Sequence, residues 1–391
     1  MFYYTNWQYR VLKRGAMGLD LKRELGQFFS PQKLVNQCLS LIRYKNGRLL
    51  EPSCGNGAFN ARLDNNAVFI ELDRSVICDE RVLNIDFFDY PVSEKFDTII
   101  GNPPYVDRRL FKIAHKTAIR ARTNLYLYFL EKCFHHLKKH GEMIFIVPRD
   151  FIKLTSARYV NHLLYEHGTI TDFYDYGDQK FFGGACPNVC IFRYEKGNFS
   201  YLTNTFYGKR HLLIRDGILS FHKTTNVKPI GAYFEIKVGA VSGKDELFEH
   251  ENGDAFVCSQ TAKSGKLKKM IYERPDRVLE PYKEILIQRK IKHFTAENWW
   301  AWGRPVNFRF NEPRVYVNCK TRNANPFFIN ECNRWDGSVL ALFPKKGLDL
   351  KHALHTLNEI NWEDMGFVTG GRYIFSQKSL QEALVDANLF E

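Results

Sequence analysis

No stretch of this 391-residue chain approaches the roughly 18 consecutive apolar residues of a membrane-crossing helix, so no membrane partner is expected. The first fifteen residues put aromatics before basic residues and hold neither a long apolar core nor a small-residue cleavage site. That is not a secretory signal. No CxxC pair occurs among the nine cysteines, and nine is odd. A disulfide framework is therefore excluded and a cytoplasmic protein expected. Cys186 and Cys190 lie four apart, but no His/Cys pair follows at finger spacing, so no metal site is expected. Repeats and low-complexity tracts are absent. Acidic residues are in the minority, 43 Asp and Glu against 56 Lys and Arg, a formal charge of +13. That balance excludes an acidic disordered chain and points to a polyanionic partner.

What is present is an ordinary globular composition, 45% hydrophobic and 25% charged, long enough for two or three domains. Four short runs rich in Ile, Val and Phe read as buried strands: residues 48–51, 68–71, 96–101 and 143–147. Between them, residues 31–42, 125–137 and 156–165 carry apolar positions at helical spacing. Strands alternating with helices imply βαβ units and a mostly parallel sheet, an α/β, Rossmann-like arrangement. Ligands of such sheets bind at the carboxyl ends of the strands. Residues 189–194 and 199–203, separated by a short turn, are expected to form a hairpin that closes the domain. After about residue 225 the helical rhythm fades. The expected division is a catalytic domain over 1–220 and an irregular α+β domain over 228–391.

The chemistry-bearing residues sit at the expected strand ends. The first strand stops at Glu51 and turns through Pro52, Ser53, Cys54, Gly55, Asn56 and Gly57. Glycine allows a tight turn and close approach of a ligand to the backbone. No Gly-Lys-Ser/Thr follows, which excludes a Walker loop, and Asn60 stands where a dinucleotide fingerprint needs its third glycine. The second strand delivers Glu71 some 20 residues on, suited to accept from ribose hydroxyls. Asp86 and Phe87 add a carboxylate and an aromatic face, a pair that would serve an adenine ring. The strand 96–101 runs into Asn102, Pro103, Pro104 and Tyr105. Two successive prolines stiffen the backbone. The ledge presents the Asn102 side-chain oxygen and the Pro103 carbonyl as converging acceptors beside a flat ring, a fit for a planar amino group.

Taken together, EPSCGNGAF, FIELD, NIDFF and GNPPY resemble the gamma, TaqI-type class of S-adenosylmethionine-dependent DNA adenine-N6 methyltransferases. Residues 26–35 (GQFFSPQKLV) resemble the N-terminal cofactor motif of that class, with Ser30 where the class often has threonine. Residues 141–150 and the segment from Lys180 to Tyr194 resemble its later motifs. The specific resemblance covers residues 24–200 and is weaker over 230–248 and 369–376. It implies S-adenosyl-L-methionine as cofactor, with Glu51, Gly55 and Ser30 around its methionine end, Glu71 on the ribose, and Asp86 and Phe87 on the adenine. Phe28, Pro31, Ser53, Gly57, Leu72 and Asn102 complete the implied cofactor set. It also implies that Asn102 and Pro103 polarise the target amine. Tyr105 and Phe182 then sandwich a base flipped out of the duplex, with Phe181 a close competitor for Phe182.

The C-terminal part is read by the same resemblance as the target-recognition, DNA-binding domain. Between Lys263 and Lys292 there are ten Lys/Arg and four Asp/Glu. Lys266, Lys268, Lys269, Arg289, Lys290 and Lys292 are candidate phosphate contacts, and Arg108, Arg109, Arg120 and Arg122 are alternatives. The expected partner is double-stranded DNA, engaged by a monomer, with a separate restriction endonuclease as a further candidate partner. Competing readings are N4-cytosine methylation, methylation of RNA or of a protein glutamine, and a non-catalytic nucleic-acid module.

Overall fold

The computed structural model describes residues 28–64, 66–107, 116–120, 123–177, 179, 181–182, 188–345 and 347–390. Gly26, Gln27, Arg108, Arg109, Arg122, Lys180, Gly183, Gly184 and Cys186 lie outside the described residues. The chain divides into two compact units, 1–225 and 226–391.

The first unit is built on one ten-stranded sheet. Helix α1 (Gln32–Ser40) precedes β1 (Leu49–Glu51), β2 (Ala67–Ile70), β3 (Val82–Leu83) and β4 (Phe96–Gly101). Helix α2 (Leu125–His136), β5 (Leu137–Pro148), α3 (Arg158–His167), β6 (Gly168–Asp175) and β7 (Val189–Lys196) follow. The unit ends with β8 (Leu202–Thr205), β9 (Gly208–Arg215) and β10 (Ile218–His222). The order across the sheet is β10-β9-β8-β6-β7-β5-β4-β1-β2-β3. Strands β1 to β5 pair in parallel, so their carboxyl ends share one edge. The strand order reverses between β1 and β4, which is where a doubly wound sheet opens a ligand crevice. The near-continuous burial of β4 and β5 agrees with a sheet covered on both faces. Leu34, Val35 and Cys38 of α1 and Leu127, Leu130 and Cys133 of α2 are fully buried in its core.

The hairpin expected over 189–203 does not form. Strand β7 pairs antiparallel with both β5 and β6, and β8 pairs parallel with β6 on the far side. A strand with two committed neighbours has no free edge for its sequence neighbour, so the chain crosses β6 before pairing again. The hairpin is one step later, between β8 and β9.

Four of these strands meet at a buried ionic group. Glu142 on β5 and Arg193 on β7 meet diagonally across the strand pair, with Arg193 Nε 2.5 Å from Glu142 Oε2. Glu142 also accepts from the amides of Arg43 and Tyr44 and from Thr98 Oγ1. Arg193 donates to Thr171 and lies 3.1 Å from Glu195. Removing one member of such a group strands a charge in the core. Arg193→Met is therefore expected to cost about 3–5 kcal/mol. A chemical-denaturation midpoint checks this, and a loss below about 1 kcal/mol would contradict it.

The second unit opens with β11 (Val227–Pro229) and β12 (Phe234–Val238), then β13 (Glu249–Phe256) and β14 (Lys268–Met270). A short α4 (Lys283–Ile287) precedes β15 (Val315–Asn318), β16 (Lys320–Thr321), β17 (Phe327–Phe328) and β18 (Val339–Pro344). Helix α5 (Leu350–Glu359), β19 (Val368–Thr369), β20 (Arg372–Ile374) and β21 (Leu384–Asp386) complete it. Its centre is an antiparallel sheet of order β12-β18-β15-β17. The two-residue period assigns each face. Val315, Val317, Leu340 and Leu342 join the cluster beneath α5, while Tyr316, Val339, Ala341 and Phe343 join one built on Trp302 and Trp335. The apolar residues 285–287 belong to α4.

Candidate active site

Four polar side chains arrive at one edge because four parallel strands end there. Glu51 closes β1, Glu71 follows β2, Asp86 follows β3 and Asn102 follows β4. Between β1 and the next turn, Gly55 and Gly57 take φ of +53° and +79°, a backbone region that favours glycine. Cys54 donates its amide to the Ile70 carbonyl at 2.9 Å, which ties this turn to the end of β2. The Glu71 carboxylate accepts from the amides of Gly55 at 2.7 Å and Asp73 at 2.9 Å. Burial nonetheless raises its carboxyl above the usual range. Ser53 Oγ lies 3.4 Å from the Asn102 carbonyl, joining the first turn to the ledge.

Glu51 is the outlier of the set. It is 1% exposed, and its Oε2 has no hydrogen-bond partner among the described residues. Burial, with the nearby Glu71 carboxylate, pushes its carboxyl well above the ordinary value. A buried, unpartnered carboxyl at a ligand-binding edge suits a cationic or donor group that the protein itself does not supply.

Asp86 caps the turn after β3 by accepting from the Phe88 amide at 2.9 Å. The expected stacking face of Phe87 is not available. Its ring is 2% exposed, packs on Phe129 at 5.1 Å between centroids, and has Lys132 Nζ 5.0 Å from its centre. Lys132 was not among the residues singled out from sequence, because a lone lysine on α2 carries no signal. It donates to the carbonyls of Phe88 at 2.6 Å and Tyr90 at 2.8 Å and so holds the Asp86 turn. Lys132→Met is expected to lose about 1.5–3 kcal/mol of stability and to weaken ligand binding at Asp86. Parallel denaturation and binding titrations check both. Asn84 is a second such residue: its amide nitrogen donates to the carbonyls of Glu71 and Leu72. Phe29, the neighbour of the predicted Phe28, lies over Gly55.

The ledge after β4 is held from three sides. Asn102 Nδ2 donates to the Phe28 carbonyl at 2.8 Å and to Ser30 Oγ at 3.2 Å. The Tyr105 hydroxyl lies 2.6 Å from Asn102 Oδ1 and 3.0 Å from the Ile146 carbonyl and donates to one of them at a time. These contacts fix the amide so that Oδ1 keeps a lone pair for a further donor. The Pro103 carbonyl accepts no hydrogen bond among the described residues. Phe28, Tyr105 and Phe182 form one aromatic group: Phe28 is 5.6 Å from Tyr105 and 5.4 Å from Phe182 between centroids. Phe181 points elsewhere, against Tyr176 at 5.0 Å and beneath Lys33. Pro31 caps α1 and places Ser30 beside Asn102.

The family description Eco57I restriction-modification methylase matches residues 52–182, the span from this first turn to Phe182. The Type II methyltransferase M.HindII of Haemophilus influenzae is 32% identical, over 92% of this chain and 89% of its own length. The chain belongs to the Eco57I-type restriction-modification methylase family. The modification methylase CviBIII of Paramecium bursaria Chlorella virus NC1A is also 32% identical, over 33% of this methylase and 39% of its own length. Among solved structures, the Type IIL restriction-modification enzyme MmeI in complex with DNA aligns with a TM-score of 0.52 at 11% identity. That alignment covers 97% of the methylase and 67% of the MmeI chain, and it speaks to the fold alone.

A methylase of this family takes its methyl group from S-adenosylmethionine. The residues fit that cofactor: the orphaned Glu51 carboxyl suits its ammonium, and Glu71 and Asp86 lie at the adjoining strand ends where its ribose and adenine would lie. No group of three or more His, Cys, Asp or Glu able to hold a metal is found among the described residues. No helix among the described residues is long and apolar enough to cross a membrane.

The basic residues of the second unit sort differently from the sequence expectation. Arg289 is not a surface contact. It is 6% exposed and donates to four backbone carbonyls. Lys268 is engaged by Asp245 at 2.9 Å. Lys266, Lys269, Lys290 and Lys292 are exposed, with Lys269 Nζ donating to the Glu251 carbonyl. In the first unit, Arg120 is exposed.

Proposed function

We propose that this methylase transfers a methyl group from S-adenosylmethionine to the N6 amine of an adenine flipped out of double-stranded DNA. The observation that supports it most directly is the ledge: Asn102 Oδ1 and the Pro103 carbonyl stand at the end of β4, beside the strand that ends at the orphaned Glu51. An aromatic amine is a poor nucleophile because its lone pair is delocalised into the ring. Two acceptors on its two protons draw the nitrogen toward tetrahedral geometry and free that lone pair. The sulfonium, when bound, supplies an electrophilic methyl and leaves as a neutral thioether. Asn102 and Pro103 position the amine and stabilise the positive charge that develops on it. The proton then leaves the methylated nitrogen for solvent. Tyr105 and Phe182 would stack on the base, which a duplex otherwise keeps out of reach. The net charge of +13 suits a polyanion, and the 226–391 unit is the target-recognition domain in this reading. The protein acts on DNA as a monomer, alongside a separate restriction endonuclease.

The test is methyl transfer from labelled S-adenosylmethionine to mixed genomic DNA, followed by mass spectrometry of the nucleosides. N6-methyladenine is the expected product. N4-methylcytosine would keep the chemistry and replace the base. Label in RNA or protein, with none in DNA, would overturn the reading.

A further inference from the structure

Just past α4, the chain makes a short bend whose two ends are buried and whose middle is exposed. Arg289 is 6% and Phe294 3% exposed, while Lys290, Ile291, Lys292 and His293 between them all face solvent. The two buried ends clasp each other, with the Arg289 guanidinium 3.9 Å from the Phe294 ring centre. Phe248 flanks the same guanidinium at 5.2 Å. Its donors reach the carbonyls of Leu286, Ser242, Trp299 and Ala301 at 2.8, 2.5, 2.6 and 2.8 Å. One side chain thus ties three separate stretches of backbone to the base of the bend. Burying an arginine is costly, and burial, partly offset by the Glu273 carboxylate, lowers its pKa to about 10, so it stays charged at neutral pH. That cost is tolerated where the geometry it enforces is needed.

The tip is equally defined. Ile291 is 46% exposed, yet its side chain rests on Gly243 and Gly303. A methyl group at either glycine would fall within 2.5 or 2.7 Å of it. Those glycines flank a bridge in which Val241 and Arg304 exchange two backbone hydrogen bonds of 2.9 Å each. Lys290, Lys292 and Arg304 are exposed and make no ion pair among the described residues. An apolar tip therefore stands on two glycines between exposed lysines, of which Lys292 also lies 5.3 Å from the Phe294 ring centre.

We infer that residues 290–293 form a DNA-reading finger: Lys290 and Lys292 engage phosphates on either side, Ile291 makes an apolar contact with a base edge, and Arg289 is the positioning residue. The inference rests on the proposed action on DNA. An aliphatic side chain discriminates bases through contact with the thymine methyl group in the major groove. Flanking lysines add affinity without sequence preference. A residue fixed against two glycines suits the first role, since a tip that reads sequence must hold one position.

Three variants test it on the full chain. Lys290→Ala with Lys292→Ala alters only exposed side chains. It is expected to weaken binding to target and non-target duplexes alike, and to reduce the slope of log affinity against log salt by about 2. Ile291→Ser is expected to relax discrimination at one position of the methylation map of a randomised duplex library, by about 5- to 100-fold. Arg289→Lys, compared at a temperature well below its own melting midpoint, is expected to relax that same position, a change that lost stability alone does not produce. If wild type methylates DNA and the two surface variants match it in salt slope and map, the finger is wrong while the DNA reading stands. If wild type methylates no DNA, the function proposed above fails, and the finger with it.

Discussion

Asn102→Ala is expected to slow methyl transfer to DNA by about 10²- to 10³-fold or more, well beyond the loss of S-adenosylmethionine affinity that follows from the Nδ2 contacts it also removes. The asymmetry follows from where Asn102 stands. Its Nδ2 is spent on the Phe28 carbonyl and Ser30 Oγ, contacts that hold the ledge. Its Oδ1 is the acceptor turned to the substrate. Alanine removes an interaction that strengthens as positive charge grows on the attacking nitrogen, so kcat falls more than KM rises. Single-turnover transfer of labelled methyl, with cofactor affinity measured separately by calorimetry, separates the two effects. A variant that transfers methyl at the wild-type rate would remove Asn102 from the chemistry.

Glu51→Gln is expected to weaken cofactor binding by about 2–4 kcal/mol, roughly 30- to 1,000-fold. The glutamine keeps the shape of the side chain and removes its capacity for charge. Glu51 is buried and its carboxyl pKa is raised by desolvation and by Glu71, so in the free protein it carries a proton well above the ordinary carboxylate range. Pairing with a cationic group favours the ionised form and lowers that pKa. Binding therefore releases a proton, and affinity rises with pH between the bound-state and free-state pKa values. Calorimetric titration in two buffers of different ionisation enthalpy reads the proton directly. Proton uptake on binding, or an unchanged release in Glu51→Gln, would place the cofactor's charged end elsewhere.

The candidate site was legible from sequence to the extent that it is made of strand ends. Glu51, Glu71 and Asn102 each end or follow an apolar run that reads as a strand, whereas the two-residue β3 before Asp86 is too short to read; parallel pairing brings all four to one edge. The strand 96–101 was read to the residue because it is bounded by polar sequence on one side and by Asn102, Pro103 and Pro104 on the other. The residues that support these side chains were not legible. Lys132 and Asn84 act on backbone carbonyls, and a carbonyl has no sequence signature.

By itself, then, the sequence determined the parallel α/β core, the order of its strand-end groups and the stiff Asn102–Tyr105 ledge, because these depend on local pattern and on restricted backbone angles. Only the tertiary structure decided which partners each residue found. The turn after β7 could not announce that both edges of that strand were already taken. The pattern around Phe87 showed an aromatic, while Phe129 and Lys132 decided that its ring points inward. Arg289 sits in a basic run like any surface cation, and it is buried because carbonyls from residues 242, 286, 299 and 301 converge on it. The physical reason is the same in each case: burial and hydrogen bonding are settled by groups far apart in the chain, and one-dimensional spacing carries no record of them.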